Sequence, residues 1–224
     1  MPNVGNRQEI TKIAERIYKD TNFTKVECEN LLKILNFENS KKPHKKLDRS
    51  GFRDILHKTF RMTDDMLLDR IFRAFDQDND GVISPVEWVK GLSVFLLGSL
   101  KEKIKFAFTV YDLNSDGLIS REEMFQLLKP TLVRQPTEED PDEGTKDLVD
   151  MTFKKFDVDH DGKLTRENFE AAVENEPLLL EGLGPCLPEE KSAAAFLMTF
   201  QESEIFNSIS YLGKQDRIVV TSEQ

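Results

Sequence analysis

Cysteine is scarce in this chain: Cys28 and Cys186 are the only two in 224 residues. A disulfide-stapled secreted scaffold is thereby excluded, and a reduced compartment is expected. Long apolar runs and a signal-peptide pattern are also missing, so the sequence predicts neither a membrane span nor export. Pro2 stands where N-myristoylation needs glycine, so no membrane anchor of that kind is expected. Positive charge is in deficit, since 31 Lys and Arg against 41 Asp and Glu give a net charge of -10. Phosphate attraction needs a basic face, which argues against nucleic acid as a partner. Histidine is limited to His44, His57 and His160, with no H-x-x-x-H spacing and no glycine-rich phosphate loop. A nucleophile, a base and oxyanion donors cannot be assembled from this set, so no enzyme is expected.

What the chain does have is oxygen ligands at regular spacing. A hard cation with about seven oxygen ligands needs carboxylates or amides at loop positions 1, 3 and 5, a carbonyl at 7 and a bidentate carboxylate at 12. Loop 2 supplies Asp76, Asp78, Asp80, the Val82 carbonyl and Glu87; loop 3 supplies Asp112, Asn114, Asp116, the Leu118 carbonyl and Glu123. Ser84 and Ser120, at position 9, add an oxygen directly or through water. Loop 4 offers Asp157, Asp159, Asp161, the Lys163 carbonyl and Asn168. Position 6 must turn through positive φ, and it is Gly81, Gly117 and Gly162. Three such matches on one chain are the signature of EF-hand calcium loops.

Loop 4 departs from the pattern at position 12. Asn168 brings one carbonyl oxygen and no charge, while Glu167, at position 11, is expected to point away. Calcium loses more than magnesium from this change, so a weak site with reduced calcium preference is expected, with Mg2+ a candidate occupant there. Ser84 with Glu87 and Ser120 with Glu123 form capping boxes that start the outgoing helices. Thr165 has Asn168 in place of Glu or Gln, so the box is expected to be missing in loop 4. His160, at position 4, is expected to face outward.

Helix-loop-helix units pair to bury their apolar faces, so three active loops ask for a fourth unit. Position 8 is Ile83, Ile119 and Leu164, and Leu47 as another position 8 places a first loop at 40–51. Ser40, Lys42, His44, Lys45 and Gly51 fall at its decisive positions, so that loop is expected to be metal-free. The basic residues Lys41, Lys42, Lys45, Lys46 and Arg49 cluster there, most simply a solvated surface, with an anionic partner or lipid surface as the alternative.

Helical stripes flank every loop. They run through Glu27, Leu31, Leu32, Ile34 and Leu35; Phe52, Ile55, Leu56 and Phe60; Met66, Leu67, Ile71, Phe72 and Phe75; and Trp88, Leu92, Phe95 and Leu96. In the second half they are Ile104, Phe106, Phe108, Val110 and Tyr111; Met124, Leu127 and Leu128; Leu148, Met151, Phe153 and Phe156; and Phe169, Ala172 and Val173. The predicted class is all-α: two EF-hand pairs, with the first of four hands degenerate, plus a C-terminal helical extension. The expected divisions are 1–97, 98–176 and 177–224. Sixteen Phe and six Met suit a sensor that exposes a groove, although core filling explains most of them. An acidic, proline-rich linker from Arg134 to Gly144 lengthens the interval between loops 3 and 4. Leu178, Leu179, Leu180 and Leu183 form an apolar cluster beyond it, followed by Phe196, Leu197, Phe200, Ile205, Phe206 and Ile209. The segment from Pro177 is expected to dock on the second hand pair or between the pairs, competing with partners.

These features together resemble a family. The degenerate first hand, Met62 to Met66, Phe75 to Gly81, Gly98 to Leu100, Gln135 to Gly144, Lys163-Leu164 and Gly184 to Pro188 resemble the calaxin family of ciliary calcium sensors, related to the neuronal calcium sensors. The resemblance covers roughly residues 20 to 190. It implies a protein of the cytoplasm and cytoskeleton, placed at the axoneme of cilia or flagella. It implies association with outer-arm dynein through the dynein heavy chain and tubulin, and calcium-dependent tuning of motility. A monomer is expected. A calcineurin B-like regulatory subunit and a calcium buffer are the alternatives; the metal-free first loop and Pro2 count against the former.

Overall fold

The computed structural model describes residues 4–38, 46–131 and 142–199. Ser40, Lys41, Lys42, His44 and Lys45 of the first loop, most of the acidic linker, and the tail from Phe200 lie outside the described residues. The chain divides into two units, Met1–Pro188 and Glu189–Gln224. In the second, residues 190–199 are helical.

The first unit is built of α1 (Val4–Ile17), α2 (Lys25–Glu38), α3 (Arg49–Phe60), α4 (Asp65–Phe75), α5 (Pro85–Leu97), α6 (Leu100–Tyr111), α7 (Arg121–Leu128), α8 (Glu143–Phe156) and α9 (Arg166–Asn175). Two short strands, β1 (Leu47–Asp48) and β2 (Val82–Ile83), complete it. They pair antiparallel with Leu47 opposite Ile83, joining the loops of the first two helix-loop-helix units at position 8. The second pair of loops is joined at the same position by Ile119 N–H donating to the Leu164 carbonyl at 2.9 Å. All four position-8 side chains are buried. An apolar residue there, in extended backbone, links two loops and seeds the core beneath both.

Helix starts follow local chemistry. The Asp48 and Asp64 carboxylates accept from Gly51 N–H at 2.8 Å and Leu67 N–H at 2.9 Å, capping α3 and α4. Thr24 and Glu27 exchange bonds across the first turn of α2, and Ser99 and Glu102 do the same for α6. Gly91 lets α5 lie close on α4, since a Cβ there would meet the Phe75 ring at 2.3 Å.

The two halves share a core. α4 packs on α6, and Phe106 sits with its centroid 6.1 Å from Phe75 and 5.8 Å from Phe95. Edge-to-face rings at this separation add specificity to the burial.

Three elements differ from the sequence expectation. α1 precedes the first hand and packs through Ile10, Ala14 and Ile17 on α2 and α5; its stripe is short and flanked by charge. In α8 the buried stripe is Val149, Phe153 and Phe156, while Met151 is 61% exposed. Val149, Phe153 and Phe156 keep the i, i+4, i+7 spacing of one face, and Met151 falls on the opposite side. The leucine cluster after Pro177 forms a 3-10 turn, Pro177–Glu181, in which Leu178 is 87% exposed. Further along, Leu183, Gly184, Cys186 and Leu187 are buried.

Candidate metal centres

Each loop begins where its incoming helix ends. Asp76, Asp112 and Asp157 donate their backbone N–H to Phe72, Phe108 and Phe153, each at 2.9 Å, so the position-1 carboxylate is fixed by the last helical turn. The chain then bends twice through positive φ. The glycines at position 6 have φ 83°, 87° and 79°, and Asn79, Ser115 and His160 at position 4 have φ 56°, 62° and 60°. Asn and small polar residues tolerate that region, a signal at position 4 that sequence spacing alone did not exploit. His160 is exposed, as expected for this position.

In loop 2 the carboxylates gather the backbone inward. Asp76 accepts from Asp80 N–H at 3.1 Å and Gly81 N–H at 2.9 Å, and Asp80 accepts from Val82 N–H at 3.0 Å. Glu87 places Oε2 on Ser84 N–H at 2.9 Å and on the Ser84 hydroxyl at 2.6 Å. Its Oε1 reaches across the loop to Gln77 N–H at 2.9 Å. Burial alone raises the Glu87 pKa, but these bonds from Ser84, Asp78 and Gln77 outweigh it and hold the carboxyl below its usual range. Oxygens of Asp76, Asp78 and Glu87 all lie within 4.8 Å of one another. Lys46, just before β1, donates to the Asp80 carboxylate, a contact the loop spacing offered no reason to expect. That bond, with help from Val82 N–H, keeps Asp80 ionised to lower pH than usual.

Loop 3 repeats the plan. Asp112 accepts from Asp116 N–H at 3.2 Å and Gly117 N–H at 2.9 Å, Asn114 Oδ1 from Asp116 N–H at 2.8 Å, and Asp116 from Leu118 N–H at 2.9 Å. Glu123 caps Ser120 N–H at 2.8 Å with one oxygen and reaches Asn114 N–H at 3.0 Å with the other.

Loop 4 is different in two ways. Asp157 Oδ2 accepts from Gly162 N–H at 3.1 Å, but Oδ1 is buried with no hydrogen-bond partner. An orphaned carboxylate oxygen beside Asp159 and Asp161, with ligand atoms within 4.8 Å, fits a cation. Asn168 is buried, and its Oδ1 accepts from Thr165 N–H at 3.1 Å and from the Thr165 hydroxyl. Thr165 Oγ1 in turn accepts from Asn168 N–H at 3.2 Å. The capping box expected to be missing is therefore present, because an amide oxygen reaches the N-cap N–H as a carboxylate does. Its Nδ2 donates to Asp159 Oδ1 at 3.0 Å. Where the glutamates present a second acceptor to the loop, Asn168 presents a donor. Glu167 is exposed, as expected.

Beyond the loops, the segment after Pro177 is anchored on α6. Tyr111 Oη donates to the Gly184 carbonyl at 2.6 Å and lies 3.2 Å from Cys186 Sγ. Burial pushes the Cys186 thiol up to about 12 and the Tyr111 phenol well above its usual value, so both stay neutral. A Cβ at Gly184 would come 3.0 Å from Leu67 of α4, so this segment touches both halves. No helix among the described residues is long and apolar enough to cross a membrane.

Comparison with known proteins agrees with the geometry. The family model described as "EF-hand domain pair" matches residues 101–174, and "EF hand domain" matches 67–95. Calaxin of Bos taurus is 50% identical over 211 residues, spanning 91% of this chain and all of that protein. Calaxin of Homo sapiens is 58% identical over 164 residues, 73% of this chain and 78% of its own. A calcineurin subunit of Candida glabrata is more distant, 37% identical over 169 residues, covering 73% of this chain and 89% of its own. Paired calcium loops, a nearly all-helical unit and half or more of the residues in common place the chain in the calaxin family of EF-hand calcium-binding proteins.

Proposed function

We propose that this protein is a calcium sensor of the ciliary or flagellar axoneme. It binds outer-arm dynein through the heavy chain and tubulin, and tunes motor activity as calcium changes. The family membership carries this reading, supported by the acidic loops in both halves. It acts as a monomeric regulatory protein and catalyses no reaction. The chemistry calcium supplies is a change in charge and in the angle between the helices flanking each loop. Residues 1–97 and 98–176 are the two calcium-binding halves. Asp76, Asp78, Asp80, the Val82 carbonyl and Glu87 hold one ion; Asp112, Asn114, Asp116, the Leu118 carbonyl and Glu123 hold another. Asp157, Asp159, Asp161 and the Lys163 carbonyl form a weaker site, in which Asn168 contributes only after its amide turns. The first loop takes no metal. The segment 177–188 covers the second half or the groove between the halves until a partner displaces it; the Tyr111 contacts to Gly184 and Cys186 support this.

Pull-down from demembranated cilia with and without calcium tests the reading. Calcium-dependent recovery of dynein heavy chain is the expected result. Recovery of a phosphatase catalytic chain would favour a calcineurin B-like role, for which the more distant relative is the motive. Unchanged dye binding on adding calcium would favour a buffer.

A further inference from the structure

Arg70 is a buried cation that the calcium loops do not use as a ligand. It stands on α4, is 7% exposed, and makes its hydrogen bonds to backbone carbonyls of a different hand. Nε donates to the Val110 carbonyl at 3.2 Å, Nη1 to Leu113 at 2.9 Å, and Nη2 to Thr109 at 3.3 Å and to the Asp112 carbonyl. These carbonyls end α6 and open loop 3. The last four carbonyls of a helix have no partner within it, and they carry the negative end of its dipole. A planar guanidinium with five donors suits such a cluster better than an ammonium, because several oxygens are met at fixed angles.

The placement matters more than the bonds themselves. Asp112 and Leu113 are positions 1 and 2 of loop 3, so Arg70 fixes the peptide planes that aim the Asp112 carboxylate. Further along, at the C-cap of the same helix, Asp76 opens loop 2. One helix thus carries the first ligand of one loop at its end and holds the start of the next loop through its side chain. A rotation of α4 on filling loop 2 would reach the Asp112 backbone through the guanidinium, and the same link would work in reverse.

We infer that Arg70 is a positioning residue that couples loop 2 to loop 3 across the two halves of the molecule. The inference rests on reading these loops as calcium sites. It is tested by a double-mutant cycle on the full chain, with the Gly117 amide resonance reporting the calcium midpoint of loop 3. Emptying loop 2 with Glu87→Gln is expected to shift that midpoint about fivefold or more in the native background, the lower end of common coupling. In Arg70→Met the same step is expected to shift it less than about twofold. Arg70→Lys, which keeps a cation but loses the fork, should behave like Arg70→Met, and it is the variant to read if Arg70→Met does not fold. Without metal, exchange of the Asp116 and Gly117 amides should quicken in both variants. A purely structural cap would lower the melting temperature of the variants and leave the linkage intact. Equal linkage with and without Arg70, or none in the native chain, overturns the inference. If native loop 3 takes no calcium, the ligand assignment falls and the coupling falls with it.

Discussion

Loops 3 and 4 share one hand pair, one bridge and one backbone path, and they diverge at the last loop position. Glu123 divides its two oxygens, one to the N-cap of α7 and one across the loop to Asn114 N–H. Asn168 has one oxygen, and the N-cap of α9 takes it. The other branch is an NH2 that donates to Asp159. In loop 4 the one side-chain oxygen at position 12 is committed to the cap, whereas in loop 3 a second oxygen also faces the loop. Asn168 thus keeps the helix start while turning a donor, not a second acceptor, toward the loop. Loop 4 differs a second time at position 1, where Asp157 Oδ1 lacks the kind of backbone N–H partner that Asp112 Oδ1 has in Asp116.

The strongest way to break the comparison is to remove the clamp from loop 3. Glu123→Gln takes away the charge and the bidentate geometry together. Calcium affinity at loop 3 should fall about a hundredfold, equivalent to about 2.7 kcal/mol. Isothermal titration of the full chain reads it as the loss of one tight site. Unchanged binding would show that position 12 is not the clamp.

The converse change sharpens it. Asn168→Glu supplies a second acceptor and a charge while keeping the cap on Thr165. Calcium affinity at loop 4 should rise about tenfold, about 1.4 kcal/mol, with a smaller gain for magnesium. Two equal, tight calcium sites in the unmutated loops 3 and 4 would contradict this.

A third test separates cap from ligand. Because the box is present in both loops, Thr165→Ala and Ser120→Ala should each cost about 1 kcal/mol of stability without metal. Chemical denaturation in chelator measures it. A much smaller loss for Thr165→Ala would mean that the Thr165 hydroxyl does not cap α9.

The same atoms mark where the sequence is legible. The position-6 glycines and the apolar position 8 each follow from one local rule, and the structure places them accordingly. The cap of α9 escapes the capping-box rule because that rule names Glu and Gln, while the physical requirement is only an acceptor oxygen within reach of Thr165 N–H. The stripe of α8 is ambiguous because Leu148, Val149 and Met151 are all apolar, and periodicity alone leaves the buried face open. α1 carries Ile10, Ile13, Ala14 and Ile17 at the i, i+3, i+4, i+7 spacing of one helical face, a legible signal that counting helices outward from the loops leaves out. Arg70 and Lys46 offer none: their partners lie far away in sequence, and only tertiary packing brings them together.

The smallest expected effect concerns loops 2 and 3, whose side-chain ligands differ only at position 3, Asp78 against Asn114, and which differ also in a neighbour. In loop 3 the Asp116 carboxylate accepts from a neutral donor, Asn114 Nδ2 at 2.9 Å. In loop 2 the Asp80 carboxylate accepts from Lys46, a cation supplied by the first hand. A calcium ion entering loop 2 therefore competes with an ammonium that loop 3 does not contain. Both partners are substantially exposed, with side chains 46% and 34% accessible, so solvent and salt screen the pair strongly. Lys46→Gln should tighten calcium binding at loop 2 by only about twofold at low ionic strength, consistent with the small worth of exposed pairs. The gain should vanish in high salt, and loop 3 should not respond at either condition. Titrations at two salt concentrations, followed through the Gly81 and Gly117 amides, resolve the two loops. A gain that persists in high salt would assign Lys46 a packing role in place of an electrostatic one, and no gain at low salt would leave loops 2 and 3 equivalent in this respect.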